Sequence, residues 1–269
     1  MNISRSDLEA LLKKTEKICK KGWEILLDRS KLPISSLKTW EKGEGDFVTF
    51  VDHELESFYK NELLSILPDA SFVGEEKGLF GDNINGFVWV VDPVDGTTNF
   101  SRGICPYAFS VALLFNKEPI LGVIGVPPYD WFLSGAKGLG AWINGTPIQK
   151  IEEKKLDVHG VACVGIIKKE ELNTWVKEIA ETRVKLRFLG SAVTHIASVI
   201  LGRVELAAQE KAHVWDIAGG ILILEEAGGK ALRLNGEPIY PFNDDEIKGK
   251  KLSFVAGSNE AVISILKLL

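Results

Sequence analysis

Apolar residues in the opening segment, Leu8, Leu11, Leu12, Thr15, Ile18, Cys19 and Gly22, recur at steps of three and four. That spacing puts them on one face of a helix ending near Leu27, and Ser6 with Glu9 three residues later reads as its capping box. A polar, glycine-bearing stretch, Lys42-Gly43-Glu44-Gly45-Asp46, precedes a second amphipathic segment with Val51, Leu55, Phe58 and Ile66, closed by Pro68. The pattern then changes. Short apolar runs at Phe72-Val73, Phe87 to Val91, Tyr107 to Phe115, Ile120 to Val126, Trp131 to Leu133 and Ala141 to Ile143 are separated by Gly, Pro and Asn. They predict a multi-stranded sheet with hairpin-like links. Asn144-Gly145 is a turn signal, and beyond it strands and helices alternate. Val161 to Ile167 and Leu186-Arg187-Phe188 read as strands of a second, smaller sheet, and Glu170 to Glu181 and Ser191 to Leu201 as helices. A last helix, Asp216 to Ala227, stops at Gly228-Gly229. This divides the 269 residues, read as one catalytic domain, into halves at 1–145 and 146–269.

Composition narrows the class. The chain is 45% hydrophobic, enough for a large core. A formal charge of -5 with scattered basic residues leaves no electrostatic footprint for nucleic acid. Cys19, Cys105 and Cys163 form an odd set without C-x-x-C spacing, which suits free thiols in the reducing cytoplasm. No run approaches the roughly eighteen apolar residues of a membrane span, and the start, Met1 to Asp7, lacks the apolar region of a signal peptide.

The chemistry concentrates where the Phe87 to Val91 strand runs out, in Asp92-Pro93-Val94-Asp95-Gly96-Thr97-Thr98-Asn99-Phe100. The strand is expected to stop at Asp92, because Pro93 cannot donate to a ladder and Gly96 frees the backbone to turn. Two carboxylates about 4 Å apart repel by roughly 4 kcal/mol at an effective dielectric near 20, so such a strand end favours a cation. Mg²⁺ is the simplest candidate, since it prefers carboxylate oxygens and keeps several waters. A plain β-turn is the alternative, and an EF-hand loop fails because Gly103 stands at its twelfth position. Gly74-Glu75-Glu76 ends the preceding short strand. If both strands deliver their ends to one edge, Glu75 meets Asp92 and Asp95; otherwise it is a solvated loop. Thr97 and Thr98 offer N–H groups and hydroxyls to an oxyanion, and a cation beside such donors suits a phosphoryl group. Asp216 is either functional or a helix cap, and Asp52 either functional or first-turn dipole chemistry. His195 and His213 read as packing residues, His53 and His159 carry no signal, and Lys42 is either solvated or turned to phosphate.

Taken together, Gly74-Glu75-Glu76, Asp92 to Phe100 and Trp215-Asp216-Ile217-Ala218-Gly219-Gly220 resemble the inositol monophosphatase family of magnesium-dependent, lithium-sensitive phosphatases. Further pieces fall in the family's order: Asp46-Phe47-Val48-Thr49 with Asp52, Gly138 to Ala141 before Asn144-Gly145, and Leu189-Gly190-Ser191-Ala192 before Gly202 to Glu205. The resemblance implies a layered αβαβα sandwich, a homodimer and two to three Mg²⁺ ions. It also implies metal ligation by Glu75, Asp92, the Val94 carbonyl, Asp95 and Asp216, with Thr97, assisted by Asp52 or Glu75, orienting the attacking water. Backbone groups of Gly96 and Thr97 would then cradle the phosphate, Gly190, Ser191 and Ala192 would line the alcohol side, and Asp95, Asp216, Gln209 and Lys42 complete the implied substrate contacts. Inositol-specific members usually carry a glutamate seven residues before the Trp-Asp aspartate; here that position is Gln209, an uncharged acceptor, beside Glu210. The implied activity is hydrolysis of inositol monophosphate or a similar polyol phosphate. Fructose 1,6-bisphosphate, histidinol phosphate, a 3'-phosphonucleotide or a non-catalytic regulatory role are the alternatives. The nucleotide-type relatives tend to carry Lys and Glu where this chain has Thr98 and Asn99.

Overall fold

The computed structural model describes residues 3–37, 39–43, 46–165 and 175–268. Its first helix, α1 (Arg5–Arg29), buries the predicted stripe and adds Leu26. The helix begins earlier than the Ser6–Glu9 pairing implies. Ser4, in extended backbone, accepts the Asp7 N–H at 3.1 Å, whereas Ser6 already lies inside the first turn and cannot cap it. The polar stretch that follows is not a simple connector. Strands β1 (Thr39–Gly43) and β2 (Asp46–Thr49) pair antiparallel, Trp40 opposite Val48, and lead into α2 (Phe50–Ile66), which packs on α1.

Next come β3 (Ser71–Gly74), β4 (Gly78–Phe80), β5 (Phe87–Asp95), the short helix α3 (Thr97–Ser101), β6 (Ala108–Phe115), β7 (Glu118–Val126), β8 (Trp131–Ala136), β9 (Gly140–Ile143) and β10 (Thr146–Pro147). Among the described residues these eight strands form one sheet in the order β10-β9-β8-β7-β6-β5-β3-β4, antiparallel except for the parallel pair β3–β5. At Asn144-Gly145 both residues have positive φ (48° and 79°), and they make the tight turn from β9 to β10.

The second part comprises β11 (Val161–Val164), α4 (Trp175–Glu181), β12 (Lys185–Arg187), α5 (Ala192–Ile200), β13 (Leu206–Ala212), α6 (Val214–Glu226), β14 (Lys230–Leu232), α7 (Asp244–Ile247), β15 (Leu252–Gly257) and α8 (Asn259–Leu266). Its sheet runs β12-β11-β13-β15-β14. Residues 166–174, including parts of the expected strand and helix there, lie outside the described residues.

Side chains of the central strands alternate between two cores. Trp89, Val91, Val111, Leu113, Leu121 and Val123 face α1 and α2, while Val88, Val90, Ala112, Leu114, Ile124 and Val126 face α5 and α6. Burying each such side chain contributes about 1.5–3 kcal/mol, which is why these strands read as unbroken apolar runs. The α5–α6 layer also packs on the smaller sheet through Ala207, Phe254 and Ala256. On that sheet's far face, Val176 and Ile179 of α4 and Val262 and Ile265 of α8 close a third core. The layers therefore run α1/α2, large sheet, α5/α6, small sheet, α4/α8, the expected αβαβα sandwich.

One close approach fixes the middle layer. A Cβ on Gly122 of β7 would lie 2.5 Å from the Gly219 carbonyl of α6, so helix backbone rests directly on sheet backbone there. That seats the first turn of α6, with Asp216, against the large sheet.

Candidate active site

The parallel pairing of β3 with β5 decides where the acids meet. Gly74 is opposite Val91, and the Glu75 N–H continues the ladder to the Val91 carbonyl at 3.3 Å, so Glu75 and Asp92 leave adjacent strand ends at the same level. β5 does not stop at Asp92 as expected but continues to Asp95 through a break in register opposite β6. The Asp92 carboxylate makes this possible: its Oδ1 accepts the Val94 N–H at 3.0 Å, replacing the ladder bond lost at the bulge. Gly96, at φ 86°, then turns the chain into α3. A Cβ there would come within 3.1 Å of the Gly190 carbonyl, so glycine admits the loop that lines the other side.

That loop is tied to the strand end by long-range bonds. Asp95 Oδ2 accepts the Ser191 hydroxyl at 2.6 Å and the Val193 N–H at 2.7 Å, which places this acid at the start of α5, ninety-six residues later for Ser191. Asn99 Nδ2 donates to the carbonyls of Pro106 at 2.7 Å and Leu189 at 2.8 Å. His195, buried in α5, accepts the Leu189 N–H at Nε2 (3.2 Å), so this packing residue also holds the loop. Gly96, Gly190, Ser191 and Ala192 thus come together beside Asp95.

Asp216 arrives from α6. It is neither the helix cap nor free of capping: His213 is the N-cap, and Asp216, three residues on, accepts the His213 N–H at 2.8 Å. The His213 and Trp215 rings stack at 4.4 Å. Asp52 likewise combines both alternatives weighed for it. Its Oδ2 accepts the Thr49 N–H at 2.8 Å, closing the α2 capping box, while its Oδ1 accepts the Thr97 hydroxyl at 3.0 Å. The Val94 carbonyl also lies 2.8 Å from that hydroxyl.

The electrostatics are those of crowded acids. Burial, and then the charges of Glu75, Asp95 and Asp216 with a hydrogen bond to Glu75, hold the Asp92 carboxyl well above the usual range. Burial followed by the charges of Asp95 and Glu75 does the same to Asp216, against the relief of the His213 N–H. Asp95 is raised to about 6, chiefly by burial, although Ser191 and Val193 pull it down; Asp52 reaches about 6, by burial against its Thr49 hydrogen bonds. Among the described residues no three acids, histidines or cysteines close into a compact protein cage. The buried carboxylates that raise one another, with the Val94 carbonyl at the Thr97 hydroxyl, are hard oxygen donors of the kind that suits Mg²⁺, an ion that keeps several of its own waters.

Two other expected residues stand differently. Gln209 is half-buried, and its amide donates to the Lys211 carbonyl at 2.7 Å, folding the side chain along its own strand. Lys42 lies in β1, with its side chain outside the described residues. Sequence reasoning missed Asn99 as a tie between the two parts, although it stood inside the motif, and it missed Glu56, a buried acid whose i+4 spacing from Asp52 was the available signal.

Comparison with known proteins identifies the family and the fold. The family model described as Inositol monophosphatase family matches residues 7–264. A protein of Aquifex aeolicus named fructose-1,6-bisphosphatase/inositol-1-monophosphatase is 35% identical over 203 residues, spanning 74% of this chain and 76% of that one. An inositol-1-monophosphatase of Mesorhizobium japonicum is 31% identical over 223 residues, 81% of this chain and 84% of the relative. The crystal structure of extragenic suppressor protein suhB from Bartonella henselae superposes with a TM-score of 0.85 at 26% identity, covering 96% of this chain and 98% of that chain.

Proposed function

The chain belongs to the inositol monophosphatase family and is a phosphoric monoester hydrolase, and from that premise we propose that it hydrolyses inositol monophosphate or a similar small polyol phosphate by in-line attack of water. The observation that carries this reading is the meeting of Glu75, Asp92, Asp95 and Asp216, from three separate stretches of chain, beside a threonine hydroxyl held by Asp52.

The family is magnesium-dependent, and the four carboxylates with the Val94 carbonyl would hold two ions, their four charges balancing; a third would arrive with the phosphate dianion. Bound Mg²⁺ lowers the pKa of water and stabilises the attacking and leaving oxygens of an in-line displacement. The rest is positioning by the protein. Thr97, whose hydroxyl meets Asp52 and the Val94 carbonyl, would orient the attacking water, assisted by Asp52 or Glu75. The N–H groups at Gly96 and Thr97 face the phosphate, with Lys42 as a further contact. Gly190, Ser191 and Ala192 line the alcohol side.

A second substrate is favoured by Gln209. Its amide is engaged with Lys211 where a sugar-binding carboxylate would be expected, and the Aquifex relative's name includes fructose-1,6-bisphosphatase. Phosphate release from inositol monophosphate, fructose 1,6-bisphosphate, histidinol phosphate and a 3'-phosphonucleotide, each with Mg²⁺ and with EDTA, tests both. Mg²⁺-dependent release from the inositol ester supports the first reading, release from fructose bisphosphate alone supports the second, and release unaffected by EDTA ends both. A homodimer in the cytoplasm completes the proposal. The three free cysteines support the compartment, and sedimentation velocity checks the dimer.

A further inference from the structure

Glu56 follows Asp52 by one turn of α2, is fully buried, and has no part in the scheme above. Its Oε2 accepts the Glu76 N–H at 2.7 Å, and the same carboxylate accepts the Lys77 N–H. Its Oε1 is buried without a hydrogen-bond partner among the described residues. A carboxylate placed this way costs free energy that an apolar side chain would not, so packing alone does not account for it. The neighbouring glycine is shaped around it. A Cβ on Gly74 would stand 2.2 Å from Glu56 Oε2 and 2.5 Å from its Cδ, so glycine at the end of β3 is what lets the acid reach the turn.

The two N–H groups that Glu56 holds belong to the residues directly after Glu75. On the other side, the Glu75 N–H is held by the Val91 carbonyl of β5. Glu75 is therefore pinned before and after. We propose that Glu56 is the positioning residue for Glu75: by holding the Glu76 and Lys77 N–H groups it aims the Glu75 carboxylate at Asp92 and so sets the affinity of the site for Mg²⁺. With Asp52 on the Thr97 hydroxyl, one face of α2 then governs both strand ends, β3 through Glu56 and β5 through Asp52. The inference rests on Glu75 being a metal ligand.

The test is Mg²⁺ binding by calorimetry to the wild type, Glu56→Gln and Glu56→Asp, alongside thermal melting in EDTA and phosphate release. Glu56→Gln keeps the shape but weakens the acceptor; Glu56→Asp keeps the charge but withdraws it from the turn. Both are expected to raise the Mg²⁺ Kd by about tenfold or more, the usual cost of losing an outer support of a metal ligand. The Mg²⁺ concentration for half-maximal activity should rise in step, with KM at saturating Mg²⁺ within about twofold of wild type. A Kd unchanged in a folded variant, even one with a lowered Tm, overturns the positioning role and leaves Glu56 as packing. A wild type that neither binds Mg²⁺ nor needs it for hydrolysis overturns instead the assignment of Glu75 as a ligand.

Discussion

Asp52 divides its two oxygens between different tasks, one closing the first turn of α2 and the other accepting the Thr97 hydroxyl. The hydroxyl and not the bulk of Thr97 is what that geometry uses. Thr97→Val is expected to lower the rate of phosphate release by about a hundredfold, in the range seen when one positioned hydrogen-bonding group is removed, and Thr97→Ser to restore most of it. Equal losses in the two variants would assign Thr97 to packing. Asp95→Asn tests the acids more severely. It is expected to abolish hydrolysis while circular dichroism stays unchanged, and full activity would remove Asp95 from the ligand set. Most of these residues are legible in the sequence because acids at the ends of apolar strands have few directions to point. Glu56 is less legible: beyond its i+4 spacing from Asp52, an acid on an amphipathic helix is read as solvated, and the turn folding over it is what shows its carboxylate buried.

At the scale of elements, the backbone contact between Gly122 and Gly219 seats α6, and with it Asp216. Gly122→Ala would drive a methyl group into a carbonyl 2.5 Å away, and neither rigid element can give. The expected cost is about 2 kcal/mol or more, read from the urea midpoint, with weaker Mg²⁺ binding as α6 lifts. An unchanged midpoint would show that the contact is looser than described. Both central strands and both opening helices announce themselves by period, because burial on one or two faces leaves a continuous apolar record. β13 (Leu206–Ala212) does not: its bulge near Gln209 breaks the alternation, and Glu210 and Lys211 interrupt the apolar run. β14, β15, α7 and α8 also pass unannounced, being short elements buried in the cores on either face of the second sheet. The β1–β2 hairpin is hidden for the opposite reason, since its glycines and charges read as a linker.

Across the whole molecule, the crowded acids make stability depend on pH and metal together. Asp52 and Asp95 are raised to about 6, and Asp92 and Asp216 are raised as well, against about 3.9 in the unfolded chain. The folded protein therefore binds protons more tightly than the unfolded one. That contribution is complete below about pH 3.9 and is lost as pH rises through about 6 and beyond. His195, lowered by burial to about 4, acts in the opposite sense, its contribution present above about pH 6.5 and lost as pH falls through about 4. In the proposed site, Mg²⁺ would take the place of the protons on the acids. The rise in Tm on adding saturating Mg²⁺ is therefore expected to be near zero at about pH 4.5 and several degrees at about pH 7.5; an equal rise at both would contradict the acid cluster as its cause.

The bond from Asp95 to Ser191 spans ninety-six residues, and Asp216 lies farther along still. Closing so long a loop costs entropy that the packing of α5 and α6 between the two sheets offsets. During synthesis the strands of the large sheet can assemble while the pocket still lacks a wall and an acid. With Asp216 in the proposed ligand set, a nascent chain shorter than residue 216 is expected to release no phosphate.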